Sequence, residues 1–219
     1  MKNILAVVAH PDDLEMMGGG SVARWKREGK HIHVLVLTNG SWVGPDGNLC
    51  RPIDEIQAEV QAVKQLMGYD SYDVLNEETL NLQYKDALVC EVLKRIKDYS
   101  IDTILTSWDK DTHHDHRIAC EVAVQAARRV PNFLMGQINY YLLDSFTPNL
   151  YVDITETFKQ KIECMSLFKS QWERSGKDWE EYLDSLALCN GRVVGVERAE
   201  AFIAKRFLMP EKKKQIIYD

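Results

Sequence analysis

The sequence predicts an α/β fold: a Rossmann-like, mostly parallel sheet flanked by helices, with a helix-rich C-terminal third. Short apolar runs alternate with longer stretches of helical periodicity, as βα units do. The runs are apolar on both faces, which a parallel sheet covered on both sides requires. After the last of these runs, helical patterns dominate.

Asn3–Val8 reads as the first strand and Gly20–Glu28 as a helix turning Val22, Ala23 and Trp25 inward. His31–Leu37 is a second strand, closed by Thr38-Asn39-Gly40. Asp54–Met67 is an amphipathic helix, with Ile56, Val60, Val63 and Met67 at helical intervals and Gly68 as its stop. A short strand at Asp73–Leu75, a helix at Asp86–Tyr99, a strand at Thr103–Thr106 and a helix at Asp115–Arg128 follow. Asn139–Leu143 and Tyr151–Val152 read as late strands, and Thr155–Trp172, Trp179–Cys189 and Glu197–Ala204 as helices.

At 219 residues and 45% apolar, the chain forms one domain over 1–219 with a sizeable core. A net charge of −6 argues against nucleic-acid binding. The one basic run, Lys212–Lys214, reads as a solvated tail. No stretch approaches the ~20 apolar residues of a membrane helix. The opening apolar run is too short for a signal peptide, so a cytoplasmic protein is expected. The five cysteines, Cys50, Cys90, Cys120, Cys164 and Cys189, lack paired spacing and read as reduced, mostly core thiols. The helix-rich end packs on the sheet or against another copy of the chain.

In parallel sheets, functional groups gather beyond the C-terminal ends of the strands. Ala9-His10-Pro11-Asp12-Asp13-Leu14-Glu15 follows the first strand, and Asp111-Thr112-His113-His114-Asp115-His116 follows the strand at 103–106. Clustered carboxylates repel and lose hydration unless a positive charge sits among them, and a divalent metal supplies it. A catalytic zinc takes three protein ligands and leaves a position for water. His10 and Asp13 on the turn, with His116 at the start of the helix, form such a set. Asp12, beside a ligand, is placed as general base. His113 is placed to bind the oxyanion and protonate the leaving amine, with Asp115 holding its imidazole protonated. An N/O ligand set accepts Zn2+, and Fe2+ also. His114 reads as pointing to solvent, Glu15 as bracing the loop, and His31 and His33 as outside the ligand set.

Gly18-Gly19-Gly20 is not a G-x-G-x-x-G dinucleotide loop, and no acidic residue ends the second strand. These glycines read as allowing close packing of the following helix against the metal turn. The loop Ser41–Pro52 is long enough to be a lid.

The two clusters resemble the motifs of the PIG-L/LmbE-like family of zinc-dependent N-deacetylases. Its A-H-P-D-D-x-E is matched at Ala9–Glu15 and its H-x-D-H at His113–His116. Weaker echoes are Thr38-Asn39-Gly40, Ser170-Gln171 and Ala199-Glu200-Ala201-Phe202, so the resemblance spans about residues 1–207. It implies His10, Asp13 and His116 as ligands, Asp12 as base, and His113 as acid and oxyanion partner supported by Asp115. It also implies removal of an acetyl group from a small-molecule N-acetylglucosamine-type amino sugar, often attached to a larger carrier. Trp42 and Trp108 are expected to stack on a sugar, and Asn39, Ser41 and Arg51 to bind hydroxyls or a phosphate. Two positions depart from the family pattern. Ile56 stands where an Arg often precedes the helix Glu matching Glu59, with Arg51 upstream as a substitute. Met17 stands where many relatives have Gly. Other readings are a hydrolase of another small N-acylated amine in cofactor or thiol biosynthesis, and a zinc-binding protein without catalysis.

Overall fold

The computed structural model describes residues 1–138, 146–175 and 178–209. Among these, seven strands form one sheet in the order β3-β2-β1-β4-β5-β7-β6. They are β1 (Asn3–Val8), β2 (His31–Thr38), β3 (Ser71–Glu77), β4 (Thr103–Ser107), β5 (Asn132–Gly136), β6 (Leu150–Asp153) and β7 (Ala199–Arg206). β3, β2, β1, β4 and β5 run parallel, while β7 is antiparallel to both β5 and β6. The helices are α1 (Asp13–Arg27), α2 (Ile53–Met67), α3 (Asp86–Asp98), α4 (His114–Ala126), α5 (Phe158–Ser166), α6 (Lys169–Ser175) and α7 (Asp178–Val194).

The period-two geometry of a strand divides the core. Ile4, Ala6 and Val8 of β1 join Leu14, Val22, Val60 and Val63 of α1 and α2. Leu5, Val7 and Ala9 meet Leu88, Val92, Ala119 and Ala123 of α3 and α4 on the other face. β1 is thus buried on both sides, as its unbroken apolar run requires. Strand order turns about at β1, and β1 and β4 are paired neighbours in register from Ile4↔Thr103 to Val7↔Thr106. The segments leaving these strands therefore emerge side by side, at the crevice such a reversal creates.

The C-terminal third departs from expectation. Glu197–Ala204 is not a helix but most of β7. Its Ala and Glu favour a helix, yet β5 and β6 offer it a ladder on each side, and pairing outweighs propensity. β5 was not foreseen: its five residues are all buried between β4 and β7 and too few to show a period. The stretch Thr155–Trp172 divides into α5 and α6 at Leu167–Phe168. Asn139–Leu143 and Lys212–Lys214 lie outside the described residues. The thiols are all free but not mostly core: Cys120 and Cys164 are buried, whereas Cys90 and Cys189 are exposed. No described helix is long and apolar enough to cross a membrane.

The glycine run acts at a different surface from the expected one. At Gly18 the backbone of α1 leaves helical geometry (φ −153°, ψ 17°). This frees the N–H groups of the next turn. The Glu200 carboxylate of β7 accepts from Gly20 N at 3.1 Å and Ser21 N at 2.6 Å. Lys161 Nζ neutralises it at 2.5 Å and donates to Met16 O at 2.8 Å. A Cβ on Gly20 would lie 2.9 Å from Ile154 Cβ. The glycines therefore admit the C-terminal strands rather than packing on the metal turn. Met17 is buried, and its side chain covers the bare backbone of Gly136 on β5.

Candidate metal centre and active site

Asp12 has a left-handed backbone (φ 113°), rare for a residue with a side chain and strained by about 1–3 kcal/mol. This bend sends two consecutive carboxylates in different directions. Asp13 Oδ2 turns back to accept from Ala9 N at 3.1 Å and His10 N at 2.8 Å. Asp12 faces Arg51, with Oδ2 3.2 Å from Nη1. On the neighbouring segment, Ser107 Oγ donates to His116 O at 2.7 Å and anchors the start of α4 to the end of β4.

Three side chains then converge. His10 Nδ1 lies 3.2 Å from His116 Nε2. His116 Nε2 lies 3.1 Å from Asp13 Oδ1, and His10 Nδ1 lies 3.5 Å from Asp13 Oδ2. Tetrahedral ligands at about 2.0–2.2 Å from zinc stand about 3.3–3.5 Å from one another. The pairwise spacings are of this order, with Asp13 turning Oδ1 toward His116 and Oδ2 toward His10. His113 is close as well: it forms with His10 and His116 a group whose donor atoms all lie within 4.8 Å. Asp13 approaches both His10 and His116 to 3.5 Å or less, each through a different oxygen. The outer nitrogens of the two ligand-type histidines face carboxylates. His10 Nε2 is 2.9 Å from Asp115 Oδ2, and His116 Nδ1 is 3.0 Å from Asp111 Oδ1. Such outer carboxylates fix the ring and raise its basicity toward a metal.

Electrostatics follow from this packing. Burial opposes charge on His10, but Asp13 and Asp115 outweigh it and raise its pKa to about 9. His116 is likewise opposed by burial and raised to about 10 by Asp13 and Asp111. Burial works against the Asp13 carboxylate, yet the two imidazoles hold it well below its usual range. Asp12 is raised to about 6 by burial, against the pull of Arg51. His113 is pushed down to about 4 by burial first, then by His10 and His116. A dication at the same place would push His113 the same way.

These side chains border a cavity of about 260 Å³ that also receives Gly40, Trp42, Arg51, Leu80, Gln171 and Trp179. Gly40 is left-handed (φ 77°), and a Cβ there would stand 2.8 Å from Pro11 Cδ, so only glycine fits beside the metal turn.

Four sequence expectations need correction. The Asp115 carboxylate does not hold His113. Besides His10 it accepts from Leu80 N at 2.7 Å and Leu82 N at 3.1 Å, which occupies it. What meets His113 is the backbone: Asp115 N donates to His113 Nδ1 at 3.1 Å, which leaves the proton of the neutral ring on Nε2. Trp108 is buried against Phe146 and does not reach the cavity. Asn39 is a turn organiser, its Oδ1 accepting from Ser41 N at 2.9 Å and Thr79 Oγ1 at 3.3 Å, and it is not among the cavity residues. Arg51 borders the cavity, but its donors go to protein acceptors. Besides Asp12 they reach Glu59 Oε2 at 3.3 Å and Ser170 Oγ at 3.0 Å. Glu59 also accepts from Ser170 N at 2.6 Å. A buried guanidinium so engaged ties Asp12 to α2 and α6 rather than gripping a substrate. It reaches Glu59 from the loop, whereas Ile56 is buried in the core.

Other expectations stand closer to the structure. Trp42 does border the cavity. His114 is exposed, one nitrogen 2.9 Å from Leu82 O. Glu15 is fully buried and accepts from Tyr69 Oη at 2.8 Å, bracing the turn from beneath. His31 pairs with Asp70 and His33 with Ser71, away from the ligand-type set. Trp179 and Gln171 were not foreseen as cavity residues. They arrive from the α6–α7 corner, whose position the sequence pattern does not reveal.

The chain is similar to known deacetylases. Residues 5–127 match the family model described as PIG-L: GlcNAc-PI de-N-acetylase. An uncharacterized deacetylase, YaiS, of Escherichia coli is 30% identical over 77% of this chain and 91% of its own length. The diacetylchitobiose deacetylase of Thermococcus kodakarensis is 26% identical over 91% of this chain and 82% of its own. The structure of the N,N'-diacetylchitobiose deacetylase from Pyrococcus horikoshii superposes with a TM-score of 0.81 at 20% identity, covering 94% of this chain and 84% of that one. At that identity the superposition speaks for the fold alone.

Proposed function

The chain belongs to the family described as PIG-L, GlcNAc-PI de-N-acetylase, and on that premise we propose that it is a metal-dependent hydrolase removing an N-acetyl group from an N-acetylglucosamine-type amino sugar or its conjugate. The observation that carries this reading is the convergence of His10 Nδ1, Asp13 and His116 Nε2 within 3.1–3.5 Å of one another, beside a cavity. His10, Asp13 and His116 would hold the ion. Zinc suits the set, and ferrous iron is accommodated by the same ligand types. When bound, it would supply a water of lowered pKa and draw charge from the amide carbonyl.

The remaining steps belong to the side chains. Asp12 takes the proton of the attacking water, whose oxygen adds to the amide carbon. Burial makes its carboxylate a better proton acceptor than an exposed one. His113 donates from Nε2–H to the oxyanion. Its low pKa and its Nδ1 contact favour this neutral role over that of an imidazolium acid. Asp12 then returns its proton to the nitrogen, the C–N bond breaks, and acetate and a free amine leave. Trp42 and Trp179 offer the sugar apolar walls.

The test is acetate release from N-acetylglucosamine conjugates by purified protein of measured metal content. Asp12→Ala should keep its metal and lose turnover by about 10²–10⁴-fold. Near-normal turnover would remove Asp12 from the chemistry. Full metal content with no turnover on a wide panel of acylated amines would leave a binding protein.

A further inference from the structure

Arg51 is 2% exposed, and an arginine is seldom so buried unless it is paired. Its guanidinium joins three segments remote in the chain. Nη1 donates to Pro11 O at 3.4 Å and to Asp12 Oδ2 at 3.2 Å, on the turn after β1. Nη2 donates to Glu59 Oε2 at 3.3 Å on α2, and Nε to Ser170 Oγ at 3.0 Å on α6. Ser170 in turn gives its Oγ–H to Glu59 Oε2 at 2.9 Å and its N–H to Glu59 Oε1 at 2.6 Å. Glu59 alone would balance the charge of Arg51, so the reach to Asp12 needs a further reason.

Asp12 is the residue that caps the start of α1. An aspartate there ordinarily folds its carboxylate onto an amide of the first helical turn, a bond worth about 1 kcal/mol. The Asp12 side chain makes no such bond. It is drawn the other way, onto Nη1, with its backbone at φ 113°. Arg51 occupies Oδ2, which leaves Oδ1 for the cavity that both residues border. The guanidinium is itself seated by the corner that supplies part of the cavity wall. Ser170 precedes Gln171, a cavity residue, and Trp172 packs edge-on against Trp179, another, with ring centroids 6.4 Å apart.

Resting on the deacetylase reading above, we propose that Arg51 is a positioning residue for the proton transfer: it keeps the Asp12 carboxylate off the end of α1 and aimed at the attacking water, while Ser170 and Glu59 fix the guanidinium that does so. Arg51 acts through Asp12 and not on the substrate. Its removal therefore misplaces the base without weakening substrate binding, and a misplacement of about 1 Å costs about 100-fold in rate.

The experiment measures kcat, KM and zinc content with an N-acetylglucosamine conjugate, for Ser170→Ala and for the double change Arg51→Ala/Glu59→Gln. The double change removes both members of a buried ion pair, so Glu59 is not left unpaired, and Ser170→Ala keeps every charge. Per bound zinc, kcat should fall about 100-fold in the double variant and about fivefold in Ser170→Ala, with KM within about twofold of wild type. Guanidinium ion, entering by the cavity that Arg51 borders, should raise kcat of the double variant at least about tenfold, and sodium chloride at equal concentration should not. A lower melting midpoint with unchanged kcat per bound zinc in both variants would make the network merely structural and overturn the proposal. A loss confined to KM would make Arg51 a substrate clamp and overturn it too, as would a kcat loss that guanidinium does not recover. If the wild type releases no acetate from any conjugate, the deacetylase reading fails. The crystal structure of the double variant then decides alone: Asp12 swung onto the first turn of α1 upholds the positioning role, and Asp12 unmoved ends it.

Discussion

Asp115 shows how one carboxylate can be read in two ways. It sits two residues from His113, yet its oxygens are committed to His10 Nε2 and to two amides of the 80–82 segment. Its effect should therefore appear in metal affinity. Asp115→Asn is expected to weaken zinc binding about 10–100-fold in chelator competition. A variant that binds zinc normally but has lost turnover would return Asp115 to His113. The meeting of His10, Asp12, Asp13, His113 and His116 around one cavity was legible because each lies just beyond a recognisable strand. The direction in which Asp115 points was not legible, because the amides it serves lie more than thirty positions away. Arg51 was hidden for the same reason, since its partner Ser170 is 119 positions distant.

Among the elements, α1 and β7 are the informative pair. The break at Gly18 would leave orphaned N–H groups inside the protein if Glu200 did not accept from them. Gly20 has no room for a methyl group beside Ile154. Gly20→Ala should therefore cost about 1–3 kcal/mol through overpacking. In thermal unfolding this is a loss of roughly 2–10 °C. An unchanged midpoint would show that the β6–α5 junction yields freely. The parallel strands were legible from their apolar runs. β7 was not, because Ala, Glu, Lys and Arg along Glu197–Arg206 read as helix formers while the pairing that decides their state is supplied by strands remote in the chain.

At the scale of the molecule, metal, protons and stability are linked. His10 and His116 have pKa values raised to about 9 and about 10 by their carboxylate neighbours. Groups so raised contribute stability that is complete below their ordinary value of 6.5 and lost as pH climbs through 9–10. Metal-free protein should therefore melt progressively lower from pH 7 to 10, while zinc-loaded protein, its imidazoles neutral throughout, should not follow. Zinc uptake at pH 7 should release about two protons, read from calorimetry in buffers of different ionisation enthalpy. Uptake without proton release would show that the imidazoles are already neutral.

The Glu200 contact also orders events in time. A ribosome delivers the metal turn first, and the carboxylate that completes its helix some 180 residues later. Until that acidic group emerges, the amides of Gly20 and Ser21 lack their carboxylate acceptor, and the turn at His10–Asp13 leads into an incomplete helix. On the proposed reading, metal capture by the finished geometry follows the end of synthesis, so the walls of the cavity are in place before the ion arrives.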